Sequence, residues 1–449
     1  MKPIDLSLRL AHRLRPLHSC LHELQGPYHL DPFAPTTKSR RINPMSGRSW
    51  LEERANMGIK LGLENCEGIL SRLGNPQSSF PSIHVAGTNG KGSLCAQLSA
   101  ASSANGLKTG LFTSPHLVTV EERIRIDGVP IEPQQFDQAL SKVMVASEEN
   151  PSISPTYFET TFLVAMVIFR DLGVERAIIE TGMGGRMDAT ILVEADMAIL
   201  TTISMDHSEY LGDTITEIAS EKVAIHRPGN PFFAIKPEEL ELQRLIEDRV
   251  GADLSWAIMP DELSIWESYS VITSMVRDYF GWKKDHFDCI WPGRSPGFGS
   301  SWFNEVDLKF SAAHNPESMK NDIRETEDVD VILIAMIEKD EVYETMRVLS
   351  EEVSKRLKPP KIIITEIKSG RKPSLPPEIL TEIIHSVSPI PLTIIPITDL
   401  TSALEESFRL AAQEGGRIMI AGSIYLLGEI ISKVVSDRGL DLRKVMTIH

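Results

Sequence analysis

The 449-residue sequence has few of the features that mark several classes of protein. Its four cysteines, Cys20, Cys66, Cys95 and Cys289, form no Cys-x-x-Cys pair, which indicates a reducing compartment and excludes a disulfide framework or a cysteine zinc site. No apolar run approaches the roughly 18 residues that a membrane-spanning helix needs. The start of the chain has no hydrophobic region of a secretory signal. We therefore expect no membrane partner and a cytoplasmic location.

Positive charge is also scarce. The chain has 46 Lys and Arg against 62 Asp and Glu, so its formal net charge is −16. A general nucleic-acid binder depends on cationic contacts to phosphates, and this balance excludes that class. Residues 1–25, in contrast, are rich in Arg, His and Leu with one early acid, Asp5. That segment leaves a mitochondrial presequence open beside a disordered extension.

The order of predicted elements indicates two domains after a leader. Residues 1–48 form the leader, which we expect to be poorly ordered because 26–48 are rich in Pro, Ser, Thr and Arg. Domain one covers 49–294 and domain two 295–449, with a Ser-Pro-Gly-Phe-Gly-Ser-Ser linker at the boundary. Predicted strands lie at 82–86, 176–180, 197–201, 331–336, 361–366 and 417–421, and a helical pattern runs over 50–73. This alternation is typical of α/β domains with a doubly wound, mostly parallel sheet. We expect domain two to be the smaller of the two and Rossmann-like.

The strongest local signal is the glycine-rich segment 87–93, which lies between a predicted strand and a predicted helix. Backbone N–H groups of such a turn and the N-terminus of a helix bind phosphates. Lys91 can reach the β- and γ-phosphates, and the Ser93 hydroxyl can ligate Mg²⁺. The strict pattern G-x-x-x-x-G-K-[ST] is not met, because Gly92 separates Lys91 from Ser93. An ordinary strand–turn–helix corner is the alternative.

Polar residues beside other apolar strands are further candidates. Glu159 precedes a helical run, and Asp206 and His207 follow the strand at 197–201. Ligands of doubly wound folds lie just past the carboxyl ends of strands, so a carboxylate and an imidazole there could hold a divalent ion. Taken singly, each is more often a helix cap or a surface residue. The turn 180–190, also rich in glycine, could be a plain loop.

Seven sequence blocks together resemble a known family. The blocks are His84-Val-Ala-Gly-Thr-Asn-Gly-Lys-Gly-Ser93, Thr113-Ser-Pro-His-Leu117, Glu180–Thr190, Asp206-His with Leu211-Gly-Asp-Thr and Glu221-Lys222, Trp291-Pro-Gly-Arg294, His314-Asn-Pro316 and Gly422-Ser-Ile-Tyr425. In this order, over about residues 60–435, they resemble the folylpolyglutamate synthase/dihydrofolate synthase branch of the Mur ligase superfamily. Asn89 favours the dihydrofolate synthase or bacterial-type branch, and the run Leu73-Gly-Asn-Pro-Gln is similar to the fungal dihydrofolate synthases, so the resemblance favours the fungal type.

The resemblance implies an ATP-dependent ligase that joins L-glutamate to the carboxylate of dihydropteroate or of a reduced folate through an acyl phosphate. It also implies Mg²⁺, with a monovalent cation as a further option, and a monomer. The implied ATP-binding residues are Gly87, Thr88, Asn89, Gly90, Lys91, Gly92, Ser93 and Arg294. The implied metal ligands are Ser93, Glu159, His207 and, if carbamylated, Lys222. The implied pterin-binding residues are Ser114, Pro115, His116 and Arg123, and the implied catalytic residues are Lys91, Lys222 and His314.

The sequence departs from the family pattern in two places that bear on activity. Ser311 stands where the family has the Asp of Asp-Gly-Ala-His-Asn-Pro, an Asp that normally helps hold the nucleotide. Residues 236–290 are short and divergent and lack a Gly-x-His-Gln-x-x-Asn motif, with only a helix-like pattern at 263–282. Two alternatives therefore stay open: an impaired relative that binds nucleotide, and a Mur-type ligase with a different acceptor.

Overall fold

The computed structural model describes residues 47–448, except for 59, 61, 261, 301, 304, 305, 327, 328 and 371. The predicted leader over 1–48 lies almost wholly outside these residues, and the first described helix begins at Gly47. The helices are α1 (Gly47–Ala55), α2 (Glu64–Arg72), α3 (Lys91–Ala104), α4 (Pro133–Glu148), α5 (Tyr157–Asp171), α6 (Ser208–Leu211), α7 (Ile215–Val223), α8 (Leu240–Val250), α9 (Ile265–Phe280), α10 (Pro316–Arg324), α11 (Val342–Ser354), α12 (Pro377–Val387), α13 (Leu400–Ala412), α14 (Ile424–Arg438) and α15 (Leu442–Val445). The strands are β1 (Ser82–Ala86), β2 (Thr109–Phe112), β3 (Ile124–Ile126), β4 (Val129–Pro130), β5 (Arg176–Glu180), β6 (Ala195–Leu200), β7 (Phe232–Ile235), β8 (Leu254–Ala257), β9 (Asp307–Phe310), β10 (Val331–Ile334), β11 (Lys361–Ile364), β12 (Ile394–Pro396) and β13 (Arg417–Ala421).

The first sheet has eight strands in the order β4-β3-β2-β5-β1-β6-β7-β8. The six strands from β2 to β8 in this order are parallel, whereas β3 runs antiparallel to β2 and β4. Every residue of β1 and of β5 is buried. Strands covered by helices on both faces read as continuous apolar runs, which is why the sequence predicted them well.

The second sheet has five parallel strands in the order β12-β11-β10-β13-β9. Its central strand β10 is fully buried between one apolar cluster that contains α13 and α14 and another that contains α11 and α12. Two helix-covered, mostly parallel sheets confirm the predicted fold class, a doubly wound domain plus a smaller Rossmann-like α/β domain.

Two helical predictions need adjustment. The pattern at 50–73 is divided between α1 and α2, and Gly58 lies between them with a φ of +69°, a left-handed conformation that ends a helix. The helix-like stretch 263–282 is α9, which starts at a capping box between Ser264 and Glu267 and ends at Gly281. The divergent middle segment therefore contributes a full four-turn helix to the fold.

The two sheets lie in one compact unit, and their elements contact each other. Helix α14 packs so closely on the loop after β2 that a Cβ at Gly428 would overlap the Leu117 carbonyl oxygen. The chain then returns to the first sheet, where Ile448 donates its backbone N–H to Gly128 O at 3.0 Å. The boundary near residue 295 remains a prediction. None of the described helices is long and apolar enough to cross a membrane.

Candidate active site

The glycine-rich segment 87–93 connects the carboxyl end of β1 to the start of α3, as predicted. Gly87 and Gly90 have φ values of +148° and +82°. A Cβ on Gly87 would overlap the Thr201 hydroxyl, and one on Gly90 would overlap the Tyr269 hydroxyl. Only glycine fits both positions, because both the backbone conformation and the space exclude a side chain. The loop therefore brings the free N–H groups of α3 to the surface of the site, where they can bind an anion.

Two lysines converge on the same carbonyl of this loop. The Lys91 Nζ donates to Gly87 O and Thr88 O, each at 3.0 Å. The Lys222 Nζ, from α7, donates to Gly87 O at 2.9 Å. Burial, together with the charge of Lys91, lowers the pKa of Lys222 to about 7. The structure thus brings these two predicted site residues together. At a pKa of about 7, part of the Lys222 side chains are neutral amines near physiological pH.

A carboxylate and a guanidinium flank the first turn of α3. A Cβ at Gly92 would lie 3.3 Å from Arg294 Nη1 and 3.5 Å from Glu180 Oε1. Glu180 is buried at the end of β5, where its Oε2 accepts the Ser114 N–H at 2.8 Å. Burial raises the pKa of Glu180, while the nearby Lys91 and Arg294 act in the opposite direction. Sequence reasoning missed Glu180 as a site residue, although its position at the carboxyl end of a strand was a usable signal.

Glu159, the predicted metal ligand, lies at the N-terminus of α5 and is buried. Its Oε2 accepts the Thr156 N–H at 2.6 Å, and the Thr156 hydroxyl accepts the Glu159 N–H at 3.3 Å, which is a capping box. Its carboxylate also contributes to the raised pKa of the Cys66 thiol. None of these contacts reaches the glycine-rich loop, so the metal role of Glu159 remains a prediction.

His207 lies on the loop after β6, as the N-cap of the short helix α6, with a φ of +53°. Burial lowers its pKa, and the charges of Lys91 and Lys222 lower it further. Its Nε2 is 3.7 Å from Asp206 Oδ2. His207 therefore lies within electrostatic reach of the two lysines, and its role as a metal ligand remains a prediction.

Residues from the second sheet meet the loop directly. Asn315, the N-cap of α10, donates its Nδ2 to Asn89 Oδ1 at 3.0 Å, and Asn89 donates its own Nδ2 to Glu317 Oε2 at 2.6 Å. Next to Asn315, His314 is exposed and accepts a hydrogen bond from Lys339 on its carbonyl. The start of α10 is thus hydrogen-bonded to the glycine-rich loop across the gap between the sheets.

Ser311, which replaces an Asp of the family pattern, has a carboxylate beside it. The Ser311 hydroxyl donates to Asp322 Oδ2, an acid on α10. Burial raises the pKa of Asp322 to about 6, an effect that its hydrogen bond with Ser311 and the charge of Arg294 partly offset. Because about two helical turns separate position 322 from the start of α10, the sequence motif alone did not reveal that a carboxylate neighbours Ser311.

A cavity of about 700 Å³ lies beside the loop that follows β2. Three of the four predicted pterin-binding residues, Pro115, His116 and Arg123, line it, together with Lys368 and Tyr425 from the second half of the chain. The Arg123 Nε donates to His116 Nδ1 at 2.9 Å, and its guanidinium carbon lies 5.3 Å from the centre of the Tyr157 ring. Ser114 instead contacts Glu180 through its backbone. A cavity lined by two tyrosines and by charged side chains of both signs suits a flat polar ring that carries a carboxylate.

The described residues contain no cluster of three or more His, Cys, Asp or Glu side chains able to hold a metal. This does not conflict with Mg²⁺, which keeps several waters and takes one or two carboxylates together with substrate phosphates. Ser93 on the first turn of α3 and the Glu180 carboxylate against that turn are oxygen donors of the kind Mg²⁺ prefers.

Comparisons with known proteins agree with this geometry. Residues 85–248 match the Mur ligase middle domain. The chain is 36% identical over 211 residues to the dihydrofolate synthase/folylpolyglutamate synthase of Bacillus subtilis, covering 46% of this chain and 49% of that protein. It is 27% identical over 423 residues to a probable dihydrofolate synthetase of Schizosaccharomyces pombe, covering 83% and 98%. The match thus spans about half the length of the first protein and nearly all of the second.

Solved structures show the same fold. Escherichia coli FolC in complex with DHPP and ADP superimposes with a TM-score of 0.74 at 23% identity, over 88% of this chain and 99% of that chain. A bifunctional folylpolyglutamate synthase/dihydrofolate synthase from Yersinia pestis, complexed with AMPPNP and a Mn ion, gives 0.71 at 22% identity, over 87% and 98%. The family resemblance and the Mur ligase-like fold are confirmed.

Proposed function

We propose that this chain, which carries a Mur ligase middle domain, is an ATP-dependent ligase that joins L-glutamate to a pterin carboxylate. The acceptor is dihydropteroate, a reduced folate or both. The curated relatives named as dihydrofolate and folylpolyglutamate synthases, and the FolC structure with DHPP and ADP, support this choice of substrates.

One observation carries the proposal. A phosphate-binding loop with Lys91 and Lys222 on one carbonyl is hydrogen-bonded to α10 through Asn89, and a cavity of about 700 Å³ lined by residues from both halves of the chain opens near it. Ser114, which adjoins the cavity-lining Pro115, contacts the same Glu180 that flanks the loop. A triphosphate bound at the glycine-rich loop and a carboxylic acid bound in the cavity would therefore lie next to each other.

The chemistry needs this arrangement because a carboxylate is a poor acyl donor. A carboxylate oxygen of the pterin attacks the γ-phosphorus, and the bond to the β-phosphate oxygen breaks, which gives an acyl phosphate and ADP. The amino group of L-glutamate then adds to the acyl carbon, and the tetrahedral intermediate expels phosphate as the amine loses a proton. Phosphoryl transfer is promoted mainly by positioning and by neutralising charge, which the N–H groups of α3, Lys91 and Arg294 provide.

A divalent cation fits the donor set at the loop. We assign Ser93 and Glu180 as its first protein ligands, with His207 and a carbamylated Lys222 as further candidates. The Yersinia pestis relative holds a Mn ion with AMPPNP, which supports a divalent ion, with Mg²⁺ our specific choice. When bound, the ion neutralises phosphate charge. The lowered pKa of Lys222 supports carbamylation, since only a neutral amine adds to CO₂. A monovalent cation, a monomeric state and a cytoplasmic or mitochondrial location remain predictions.

The decisive experiment measures phosphate release from ATP in the presence of L-glutamate and either dihydropteroate or tetrahydrofolate. The proposal requires release that depends on both the amino acid and a pterin acceptor. Release with neither pterin, but with another carboxylic acceptor, would favour a Mur-type ligase of different specificity. Stabilisation by MgATP without any turnover would favour the impaired nucleotide-binding relative.

A further inference from the structure

Tyr269 lies in the divergent middle segment yet touches the phosphate-binding loop. It sits on α9, which packs along α3, where the Gln97 Nε2 donates to Trp266 O at 2.8 Å. The Tyr269 side chain is only 4% exposed, and its hydroxyl lies against Gly90, so closely that a Cβ there would overlap it. The phenol is therefore aimed at the N-terminus of α3.

The hydroxyl of this buried tyrosine is not paired with any described residue. Thr273 donates its hydroxyl to the Tyr269 carbonyl oxygen at 3.0 Å, but that contact involves the backbone. Within the described part of the chain, no hydrogen bond to the phenol oxygen is found. The phenol oxygen is also not one of the fully buried polar atoms without a partner, so it keeps some access at the loop. A ligand bound there could accept its hydrogen bond.

Charged groups of both signs act on the Tyr269 phenol. They are the guanidinium of Arg294 and the carboxylates of Asp322, Glu317 and Glu325, on α10 and the residue after it. Burial and these carboxylates raise the pKa of Tyr269, so the phenol keeps its proton at neutral pH. It can then donate to a phosphate oxygen beside Arg294.

We propose that the Tyr269 hydroxyl donates a hydrogen bond to a phosphate oxygen of the bound nucleotide at the N-terminus of α3. This inference rests on the proposed function, because it takes the ligand of the loop to be a nucleoside triphosphate. It adds a nucleotide-binding residue from α9, which lies within the segment 236–290 that lacks the family motif. The divergent segment thus contributes to the site by a different side chain.

Titration calorimetry with MgATP tests this contact. Tyr269→Phe keeps the ring and removes the hydroxyl, and Tyr279→Phe is the matched control on the same helix, at a side chain 56% exposed. A hydrogen bond to a charged phosphate predicts that Tyr269→Phe binds MgATP about tenfold to a hundredfold more weakly, while the control binds as the wild type does. The melting temperature without nucleotide should stay unchanged in both variants.

A second probe, inorganic tripolyphosphate with Mg²⁺, locates the contact. Because tripolyphosphate has no nucleoside, Tyr269→Phe should weaken its binding by the same factor as that of MgATP. Unchanged MgATP affinity, or a loss for MgATP with none for tripolyphosphate, would overturn the inference and leave the proposed function intact. Failure of the wild-type protein to bind MgATP would overturn the proposed function itself.

Discussion

The two walls of the candidate site are built in different ways. The glycine-rich loop is a single stretch of seven residues, 87–93, placed by one strand and one helix. The wall opposite it brings together Tyr269, Arg294, Asn315 and Asp322, which come from three separate segments of the chain. The first wall depends on local backbone conformation, whereas the second depends on how α9 and α10 pack. Substitutions in the loop should therefore have large effects on activity or stability, and substitutions in the opposite wall should have smaller ones.

Lys91→Ala should have the largest effect. Removing the charge that can reach the transferred phosphate should lower glutamate- and pterin-dependent phosphate release at least 100-fold. Lys142→Ala, at a lysine whose Nζ lies 2.6 Å from Asp171 on the surface, is the control and should keep near wild-type activity. Activity of Lys91→Ala within a few-fold of the wild type would show that the loop is not the phosphate site.

Glu180→Gln and Glu159→Gln compare the carboxylate that flanks the loop with the carboxylate that the sequence predicted as a metal ligand. If Glu180 binds the metal, its Gln variant should need about tenfold or more Mg²⁺ for half-maximal activity. Glu159→Gln should leave the Mg²⁺ requirement unchanged and lower the free energy of unfolding by about 0.5–2 kcal/mol, because it weakens the capping box of α5. Both are measured by Mg²⁺ titration and urea unfolding. A raised Mg²⁺ requirement in Glu159→Gln, with an unchanged one in Glu180→Gln, would instead support Glu159 as the metal ligand.

Gly90→Ala tests the contact between the two walls. The residue has a φ of +82°, and a Cβ would overlap the Tyr269 hydroxyl, so we expect a loss of about 2–5 kcal/mol in the free energy of unfolding. Gly106, just beyond the other end of α3, is a matched control, since its φ is +86° and nothing lies within 4 Å of its Cβ position. Gly106→Ala should cost about 1–2 kcal/mol in urea unfolding. Equal losses of unfolding free energy in Gly90→Ala and Gly106→Ala would show that the contact with Tyr269 does not restrict the side chain at position 90.

Asp322→Asn should give the smallest effect, and one that depends on pH. The pKa of Asp322 in the folded protein is about 6, above its ordinary value. Its contribution to stability is therefore fully present below about pH 4 and lost as the pH rises through 6. Without nucleotide, Asp322→Asn should thus gain stability relative to the wild type at pH 7.5, and the gain should shrink toward pH 4.5. Thermal unfolding at both pH values checks this, and a difference that does not change with pH would contradict it.

Much of the fold could be predicted because its signals are local. The buried runs of β1, β5, β10 and β13 follow from strands covered on both faces. The break at Gly58 was missed because a helical apolar pattern can continue across a turn that only the backbone conformation reveals. Helix α9 was predicted only as a helix-like pattern in a segment that lacks the family motif, although its capping box at Ser264 was present in the sequence.

By itself, the sequence determined the conformation of the glycine-rich loop, since a turn of this kind between a strand and a helix depends on its own residues for φ angles and free N–H groups. Tertiary structure alone decided which acid flanks that loop and what faces it. Glu159 and Glu180 both stand beside apolar runs, but the end of β5 points Glu180 at α3, while Glu159 caps its own helix. Likewise, packing of α9 on α3 sets Tyr269 against Gly90, 179 positions earlier in the chain. Such pairings depend on the path of the chain between distant segments, which no local pattern records.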